Sequence, residues 1–423
     1  MRRRIRTAVV ALTAAVGLLA SSTTAVAEER VASSATRTPV VVFPAFHFTK
    51  LKVNVDRQYS HPRCPTTGYF EDWFGNDTTS RFSQVCRDRL MTFTYDPDPA
   101  KPMAERFSDQ PGVKVEIKHY GRTESAPFYE PLYEALEGQG YVRNKDIRVA
   151  GYDSRRTPDQ GGFLKRTISL IERTYHDNSN TPVHLVGHSN GPLYAQYLLT
   201  HTSKSWRTKY IHGFTALAGN WPGQGLLYGV FFTGLNVTDF SYPSTEGNAR
   251  SSALMYQSHP STYMSAADPA VFGNRELVVR TTAPMADYTP KDNLRLFEHA
   301  DMPLARHLAP YYTGFVKFAD PASFPGVDVY AEKGSGLPTV VGVTLPNLRV
   351  GQVLDPATAE LFFRNGDGNQ EDITNDAIAP WATMPCHRFE FSDNPRVDHF
   401  SLASAPAVVA RLLDNLQRPK SVC

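Results

Sequence analysis

A segment whose residue types and spacing suit acyl chemistry lies near the middle of the chain, Gly187-His-Ser-Asn-Gly191. It matches the Gly-x-Ser-x-Gly pattern, in which the central serine occupies a sharp turn between a strand and a helix. The apolar residues 182–186 before it are typical of a buried strand, and Leu193 and Tyr197 after it lie at helical spacing. Ser189 is therefore predicted to attack acyl groups through its hydroxyl.

A serine hydroxyl needs a general base, and the base needs an acid that orients it. In folds with this turn, the acid and then the histidine follow the serine along the chain. The histidines downstream of the nucleophile helix are His212, His259, His299, His307, His387 and His399. His399 is selected because it lies between a predicted strand and the last predicted helix, where the base is normally presented. The alternative is an ordinary surface histidine.

Asp367 is the candidate acid. It follows a predicted strand at 361–363 and lies in the turn Arg-Asn-Gly-Asp-Gly-Asn, where flanking glycines let a carboxylate point at an imidazole N–H. Asp372 and Asp398 are the alternatives. Calcium binding at this turn is disfavoured because an EF-hand glycine and closing glutamate are missing. No metal and no other cofactor is predicted.

The tetrahedral oxyanion of acyl transfer needs two backbone donors. One is predicted to be the N–H of Asn190, and the other to come from the loop after the first strand, residues 44–48. His47 is proposed there for its amide. Its imidazole could instead be an unrelated surface group.

Strand and helix patterns alternate through most of the chain, which predicts a mostly parallel sheet covered by helices on both faces. The predicted strands are residues 39–44, 146–152, 182–186, 211–217, 327–331, 360–363 and 387–391. The predicted helices are residues 128–136, a stripe of Leu164, Ile168, Ile171 and Tyr175, the segment after Ser189, and a stripe of Val409, Leu412, Leu413 and Leu416. Residues 220–324 show no sustained period and are predicted to form an inserted cap.

The N-terminus begins Met-Arg-Arg-Arg-Ile-Arg, continues with a short apolar run and reaches Ala-Val-Ala at position 27. This pattern is typical of a secretory signal peptide, so residues 1–27 are predicted to be removed and the protein to be secreted. The hydrolase domain is predicted to comprise residues 28–219 and 325–423, with the cap between them. The net charge is +2, and no basic cluster interleaved with aromatics indicates a nucleic-acid partner.

The number of cysteines agrees with the predicted export of the protein. The chain has 4 cysteines, and an oxidising compartment favours two disulfides. Cys64 and Cys86 would close one loop, and Cys386 with Cys423 would hold the C-terminus. Zinc binding is the competing interpretation, but no C-x-x-C or H-x-x-x-H pair supports it.

Taken together, these motifs resemble the lecithin:cholesterol acyltransferase family, which includes the lysosomal phospholipases. The resemblance extends over most of the mature chain, with matching order and approximate spacing. The segments that carry it are residues 39–44, the loop 64–86 with Glu-Asp-Trp-Phe inside it, 140–143 with Tyr152-Asp153, 187–191, 326–330 with 334–338, 366–368 and Asp398-His399.

The resemblance implies an α/β-hydrolase fold, with Ser189 as nucleophile, Asp367 as acid and His399 as base. It also implies that Cys64 and Cys86 are joined, closing a small lipid-engaging loop in which Trp73 and Phe74 could contact a membrane or lipoprotein surface. Packing of Trp73 beneath the loop is the alternative.

The chain departs from the family pattern at a few positions. Ala45 replaces the usual glycine beside the oxyanion donor, Asn190 a usual apolar residue, Asn369 a usual threonine and Ala331 a cysteine of the second family disulfide. The last change suggests that Cys386 pairs with Cys423 instead. The first two bear on donor geometry and acyl preference, while every triad member is present.

The implied activity is that of a secreted phospholipase and O-acyltransferase. Ser189 would take an acyl group from a phospholipid and pass it to a sterol, another alcohol or water. A general secreted lipase or esterase acting on neutral glycerides would share the triad and differ in the cap and loop. A non-catalytic lipid-binding protein is disfavoured because Ser189, Asp367 and His399 are all present.

Overall fold

The structure is a computed structural model that describes residues 37–56, 64–74, 81–236, 243–274, 277–355 and 359–421. The predicted signal peptide and Cys423 lie outside the described residues, so the predicted Cys386–Cys423 disulfide is not tested. The described strands are β1 (Val40–Phe43), β2 (Leu51–Asp56), β3 (Thr67–Asp72), β4 (Thr94–Tyr95), β5 (Phe107–Ser108), β6 (Val113–Ile117), β7 (Ile147–Val149), β8 (Val183–His188), β9 (Ile211–Leu217), β10 (Val279–Thr282), β11 (Met285–Tyr288), β12 (Val329–Ser335), β13 (Leu337–Leu345), β14 (Leu361–Gly366) and β15 (Phe389–Pro395).

The described α-helices fill the connections between these strands. They are α1 (Gln84–Met91), α2 (Glu130–Glu137), α3 (Phe163–Asp177), α4 (Gly191–Thr200), α5 (Lys204–Tyr210), α6 (Leu226–Thr233), α7 (Glu246–Gln257), α8 (Pro260–Met264), α9 (Pro269–Phe272), α10 (Asn293–His299), α11 (Ala305–Tyr312), α12 (Asp372–Asp376) and α13 (Pro406–Gln417).

The central sheet has six strands in the order β15-β12-β9-β8-β1-β7. Every neighbouring pair in it is parallel. Parallel strands need crossover connections, and those connections place helices over the sheet. The carboxyl ends of β1, β8 and β15 therefore meet at one edge, where His47, Ser189 and His399 follow them, whereas Asp367 follows β14 of a second sheet.

Both faces of the central sheet are covered. Val41 and Phe43 of β1 belong to one buried apolar cluster, while Val40 and Val42 belong to another. Because side chains of a strand alternate between faces, these are the cores of the two faces. Residues of α3 and α4 complete the first cluster, and residues of α2 and α13 complete the second. The predicted parallel sheet with helices on both faces is confirmed.

The apolar stripe predicted on α3 is displaced by part of a turn. The fully buried residues of this helix are Phe163, Thr167, Leu170, Ile171 and Thr174. The predicted Leu164, Ile168 and Tyr175 are half-buried at the edges of that face. Two threonines take central positions on this face, and one of them, Thr174, satisfies its hydroxyl within the helix by donating to the carbonyl of Leu170 at 2.7 Å.

The segment 220–324, predicted as a cap, contains α6 to α11 together with β10 and β11. Its strand β10 pairs in parallel with β13, which lies after this segment, in a sheet ordered β11-β10-β13-β14. The segment thus shares a sheet with the C-terminal part of the chain. Its boundaries as a separate domain stay a prediction.

A disulfide joins Cys64 to Cys86, as predicted. Cys86 lies on α1, whose first turn is capped by Ser83. The adjacent three-stranded sheet, β3-β2-β6, connects this region to the loop after β1. In the part of the chain that the structure describes, no helix is long and apolar enough to span a bilayer.

Candidate active site

Ser189 occupies the turn between β8 and α4 in a left-handed backbone conformation, with φ of 59°. That conformation costs a non-glycine residue roughly 1–2 kcal/mol, so surrounding contacts must hold it. The N–H of Ser189 donates to the carbonyl of Leu217 at 2.9 Å, and its own carbonyl accepts the N–H of Asn220 at 2.9 Å. The strained turn is thus fixed by the end of β9, and the serine is 8% exposed.

The two glycines of the motif allow this turn to pack against the sheet. A Cβ added to Gly191 would lie 2.1 Å from the carbonyl oxygen of Phe43, and one added to Gly187 would lie 2.7 Å from the nitrogen of Pro192. Both distances are well below van der Waals contact. The sequence pattern therefore reflects a steric requirement here.

His399, in the loop between β15 and α13, contacts Asp367 at the end of β14. Its Nδ1 lies 2.8 Å from Oδ2 of Asp367, and its backbone N–H donates to the Asp367 carbonyl at 2.9 Å. The two side chains are 3% and 0% exposed. A buried carboxylate on Nδ1 leaves Nε2 of His399 free to act on a hydroxyl.

Asp367 is held in turn by its own loop. Its Oδ1 accepts the N–H groups of Asn369 at 2.9 Å and Gln370 at 2.7 Å. The alternative acids have other partners. Asp398 accepts the N–H groups of Phe400 and Ser401, both at 3.0 Å, and Asp372 accepts the side-chain amide of Asn365. The geometry therefore favours Asp367 as the partner of His399.

Ser189 and His399 line one small cavity of about 30 Å³. Its other lining residues are Phe46, Phe48, Asn190, Asn220, Gln224, Leu227, Ser265, Asn369 and Phe400. No hydrogen bond joins the Ser189 hydroxyl to His399 among the described residues. In unliganded enzymes this contact is often long and shortens once substrate is bound.

The two predicted oxyanion donors follow the ends of two neighbouring parallel strands, His47 after β1 and Asn190 after β8. His47 has a positive φ of 63°, and its carbonyl accepts the N–H of Phe74 at 2.8 Å. Asn190 is the first residue after Ser189, just before α4. Among the described residues, neither amide N–H donates to a protein acceptor. Both are thus free to bind an oxyanion, which is the role predicted for them.

The imidazole of His47 is half-buried and stacks on Phe46 with ring centroids 4.7 Å apart. Burial lowers its pKa, and its Nε2 is buried without a hydrogen-bond partner in the described part of the chain. It lines a separate cavity of about 290 Å³, together with Trp73 and Tyr256. This larger cavity does not include Ser189.

The side chain of Asn190 has a structural role that the sequence did not reveal. Its Oδ1 accepts the amide N–H of Asn220 at 2.7 Å, and its Nδ2 donates to Oγ of Ser265 at 3.2 Å. Asn190 is 2% exposed. The polar side chain after the nucleophile thus links Asn220, which follows β9, to Ser265, which follows α8.

His188 and Tyr129 form a further contact that sequence reasoning missed. Tyr129 Oη lies 3.0 Å from Nδ1 of His188, and Nε2 of His188 lies 2.9 Å from the carbonyl oxygen of His399. Burial lowers the pKa of His188 to about 3, so this imidazole is neutral at neutral pH. The sequence feature that could have indicated this contact is a histidine at the end of a buried, largely apolar strand.

Trp73 and Phe74, the predicted lipid-surface residues, are both half-buried. The ring of Phe74 stacks on that of Phe48, with centroids 4.6 Å apart, and its centroid lies 6.0 Å from that of Phe400. Phe74 therefore joins the aromatic groups around the catalytic cavity. Lys50 Nζ lies 4.4 Å from the centroid of the Trp73 ring. Tyr69 is the large aromatic of this region that is most exposed, at 60%. A lipid-surface role for Trp73 and Phe74 stays a prediction.

A buried carboxylate joins the disulfide-linked helix to the inserted segment. Asp88 on α1 accepts hydrogen bonds from the hydroxyls of Ser251 and Ser252 on α7, both at 2.7 Å. Burial raises the pKa of Asp88 to about 6. Because α1 and α7 meet through this group, its ionisation bears on their contact.

A six-stranded parallel sheet with a serine at a strained strand-to-helix turn, and a histidine–carboxylate pair beside it, defines an α/β hydrolase. No group of three or more potential metal ligands was found within the described residues.

Comparison with known proteins specifies the class further. The family model for lecithin:cholesterol acyltransferase matches residues 105–263. Lecithin-cholesterol acyltransferase-like 1 of Arabidopsis thaliana is 29% identical over 71% of this chain and 74% of its own length. Lysosomal phospholipase A and acyltransferase of Mus musculus is 26% identical over 90% of this chain and 91% of its own. Phosphatidylcholine-sterol acyltransferase of Gallus gallus is 25% identical, covering 86% of each chain. Over these ranges the chain is similar to the lecithin:cholesterol acyltransferase family.

Proposed function

We propose that this protein is a serine-dependent phospholipase and O-acyltransferase. The observation that carries the proposal is the 2.8 Å contact between His399 and Asp367 beside a cavity that His399 shares with Ser189. Relatives named as phospholipase A and as sterol acyltransferase support the same reaction. Export of the mature protein and action at a membrane or lipoprotein surface complete the proposal.

In the first half of the reaction, His399 takes the proton of Ser189 Oγ as the oxygen attacks the ester carbonyl of a phospholipid. Asp367 keeps the imidazole oriented and stabilises its charged form. The amides of His47 and Asn190 bind the oxyanion. The proton then passes from His399 to the leaving lysophospholipid oxygen, and an acyl-serine remains.

In the second half, water or an alcohol attacks the acyl-serine. His399 takes the proton of the incoming hydroxyl and returns it to Ser189 Oγ when the ester bond breaks. The products are a fatty acid or a new ester, together with free enzyme.

The decisive experiment supplies phosphatidylcholine with a labelled acyl chain, with and without an alcohol acceptor. We expect lysophospholipid together with labelled fatty acid or ester, and Ser189→Ala should abolish both products and the labelling by a fluorophosphonate probe. Absence of lysophospholipid from the wild-type reaction would contradict the proposal. Cleavage of triglyceride alone would favour a neutral lipase.

A further inference from the structure

We propose that two carboxamides in the catalytic cavity, those of Gln224 and Asn369, bind the acyl acceptor, and that the acceptor is a small polyhydroxy alcohol and not a sterol. This inference rests on the proposed function. It concerns the second half of that reaction, when the acyl group leaves Ser189.

The cavity beside Ser189 is lined by two kinds of side chain. Four are apolar, namely Phe46, Phe48, Leu227 and Phe400. The remainder, apart from Ser189 and His399, are Asn190, Asn220, Gln224, Ser265 and Asn369, which we call the amide cluster. The apolar set suits hydrocarbon next to the ester carbonyl. The amide cluster suits a polar group.

Within the amide cluster, Asn220 leaves its Oδ1 unpaired, but its Nδ2 donates to Asn190. Gln224 and Asn369 are 7% and 6% exposed, and neither of their carboxamides makes a hydrogen bond to another described residue. Oε1 of Gln224 and Oδ1 of Asn369 are buried without a partner. Leaving a buried polar group unpaired destabilises the folded protein. Two such groups beside a nucleophile indicate that a ligand supplies the missing partners.

The carboxamide of Asn190, in contrast to those of Gln224 and Asn369, is paired. It is occupied on both sides, by Asn220 and by Ser265. It therefore fastens the cluster together, and it has little hydrogen-bonding capacity left for a ligand. Gln224 and Asn369 keep theirs.

A carboxamide both donates and accepts hydrogen bonds, and so does a hydroxyl group. Two free carboxamides therefore match an acceptor with two or more hydroxyls, one bound and another attacking. A sterol brings a single hydroxyl on a rigid hydrocarbon body. It would cover at least one carboxamide with apolar surface, and sites built for hydrogen bonding reject ligands that leave their polar groups unpaired.

In the proposed step, a hydroxyl oxygen of the polyol attacks the carbonyl carbon of acyl-Ser189 while His399 accepts its proton. The bond between that carbon and Ser189 Oγ then breaks, and the proton moves from His399 to Oγ. The acylated polyol leaves. No oxidant, reductant or other reactant is consumed.

The test uses the full chain, vesicles of phosphatidylcholine with a labelled acyl chain, and either glycerol in solution or cholesterol in the vesicle. The measured quantity is the ratio of acyl ester to free fatty acid. Because both products come from one acyl-enzyme, this ratio does not depend on how much enzyme is folded or how fast it is acylated. We expect acylglycerol to rise with glycerol concentration and cholesteryl ester to stay at background.

Gln224→Met and Asn369→Leu keep the side-chain size and remove the carboxamide. Each should lower the ratio of acylglycerol to fatty acid by about 3- to 10-fold, the effect of losing a neutral hydrogen bond. Gln196→Met is the matched control. Gln196 is a buried glutamine on α4 whose amide donates to the carbonyl of Ser323 at 2.7 Å, and it does not line the cavity. Its ratio should equal that of the wild type.

Cholesteryl ester as the main transfer product would overturn the inference, and so would an unchanged ratio in both cavity variants. The carboxamides could instead hold the glycerol portion of the phospholipid donor. In that case lysophospholipid release would slow at a constant ratio, which also overturns the acceptor assignment. Failure of the proposed function is distinct, since no lysophospholipid and no fatty acid would form in any arm.

Discussion

The Tyr129 hydroxyl lies 3.0 Å from Nδ1 of His188, the residue directly before the proposed nucleophile. Nε2 of His188 must carry the hydrogen, because its partner is the carbonyl oxygen of His399. Nδ1 therefore accepts the Tyr129 O–H, and the Tyr129 oxygen accepts the N–H of Ala45 at 2.8 Å. One buried chain of hydrogen bonds thus joins the loop after β1, the nucleophile turn and the loop of the base.

Tyr129→Phe should break this chain and leave the Ala45 N–H and His188 Nδ1 unpaired. We expect a loss of about 1–3 kcal/mol in the free energy of unfolding, together with a fall in kcat at nearly constant KM. Urea denaturation and steady-state kinetics measure the two effects. The control is Tyr133→Phe, which removes a buried hydroxyl bonded to the carbonyl of Ala126 at 3.0 Å. Equal kcat values for the two variants would show that Tyr129 has no positioning role.

Asp367→Asn should lower kcat by about 10⁴-fold, because an amide N–H facing Nδ1 of His399 favours the wrong imidazole tautomer. The release of labelled fatty acid provides the measurement. Asp372→Asn and Asp398→Asn serve as controls, since neither carboxylate contacts His399. A comparable loss in either control, with Asp367→Asn still active, would refute the assignment of the acid.

Asn190→Leu places an apolar residue beside Ser189 while keeping the backbone N–H. We expect a destabilisation of about 1–3 kcal/mol, because Asn220 and Ser265 lose their shared partner. Fluorophosphonate labelling of Ser189 should persist, since the predicted oxyanion donor is the amide. Loss of labelling in a variant shown by circular dichroism to be folded would assign the side chain a direct role.

Replacing Cys64 and Cys86 together by serine should destabilise the protein by about 3 kcal/mol, the chain-entropy value for a loop of this length. Thermal unfolding of the double variant, compared with the disulfide-bonded wild type, measures this effect. Peptide mapping without reductant would also test the predicted pairing of Cys386 with Cys423. An unchanged Tm in the double variant would contradict the first expectation.

The raised pKa of Asp88 predicts a specific pH dependence of stability. The folded protein holds this proton more tightly than the unfolded chain, whose carboxyl titrates near 3.8, so the stabilisation is complete below about pH 4 and is lost as the pH rises through about 6. The change is about 3 kcal/mol for a pKa shift of this size. Asp88→Asn should remove this dependence. Parallel unfolding curves for both proteins between pH 4 and 7 would contradict the prediction.

Strands β1, β8 and β9 of the central sheet could be predicted because each is a mostly apolar run bounded by polar or turn residues. The candidate triad could be selected from chain order, which α/β hydrolases share. The serine, acid and histidine chosen in this way lie where the structure places the cavity and the Asp367–His399 contact.

The inserted segment was harder to predict for a physical reason. Every residue of α6 is buried, so the helix has no polar face and shows no helical periodicity. Likewise, the pairing of β10 with β13 joins positions about sixty residues apart, and no local pattern encodes it. Gln224 and Ser265 lie in this segment, so their approach to Ser189 became visible only in the folded chain.

The contact between Gly191 and the Phe43 carbonyl also has an evolutionary consequence. A single methyl group at position 191 would meet that oxygen at 2.1 Å, which neither β1 nor α4 can relieve without moving the nucleophile. Exchange of this glycine for alanine is thus a one-step route by which a gene copy would lose activity while keeping its triad residues.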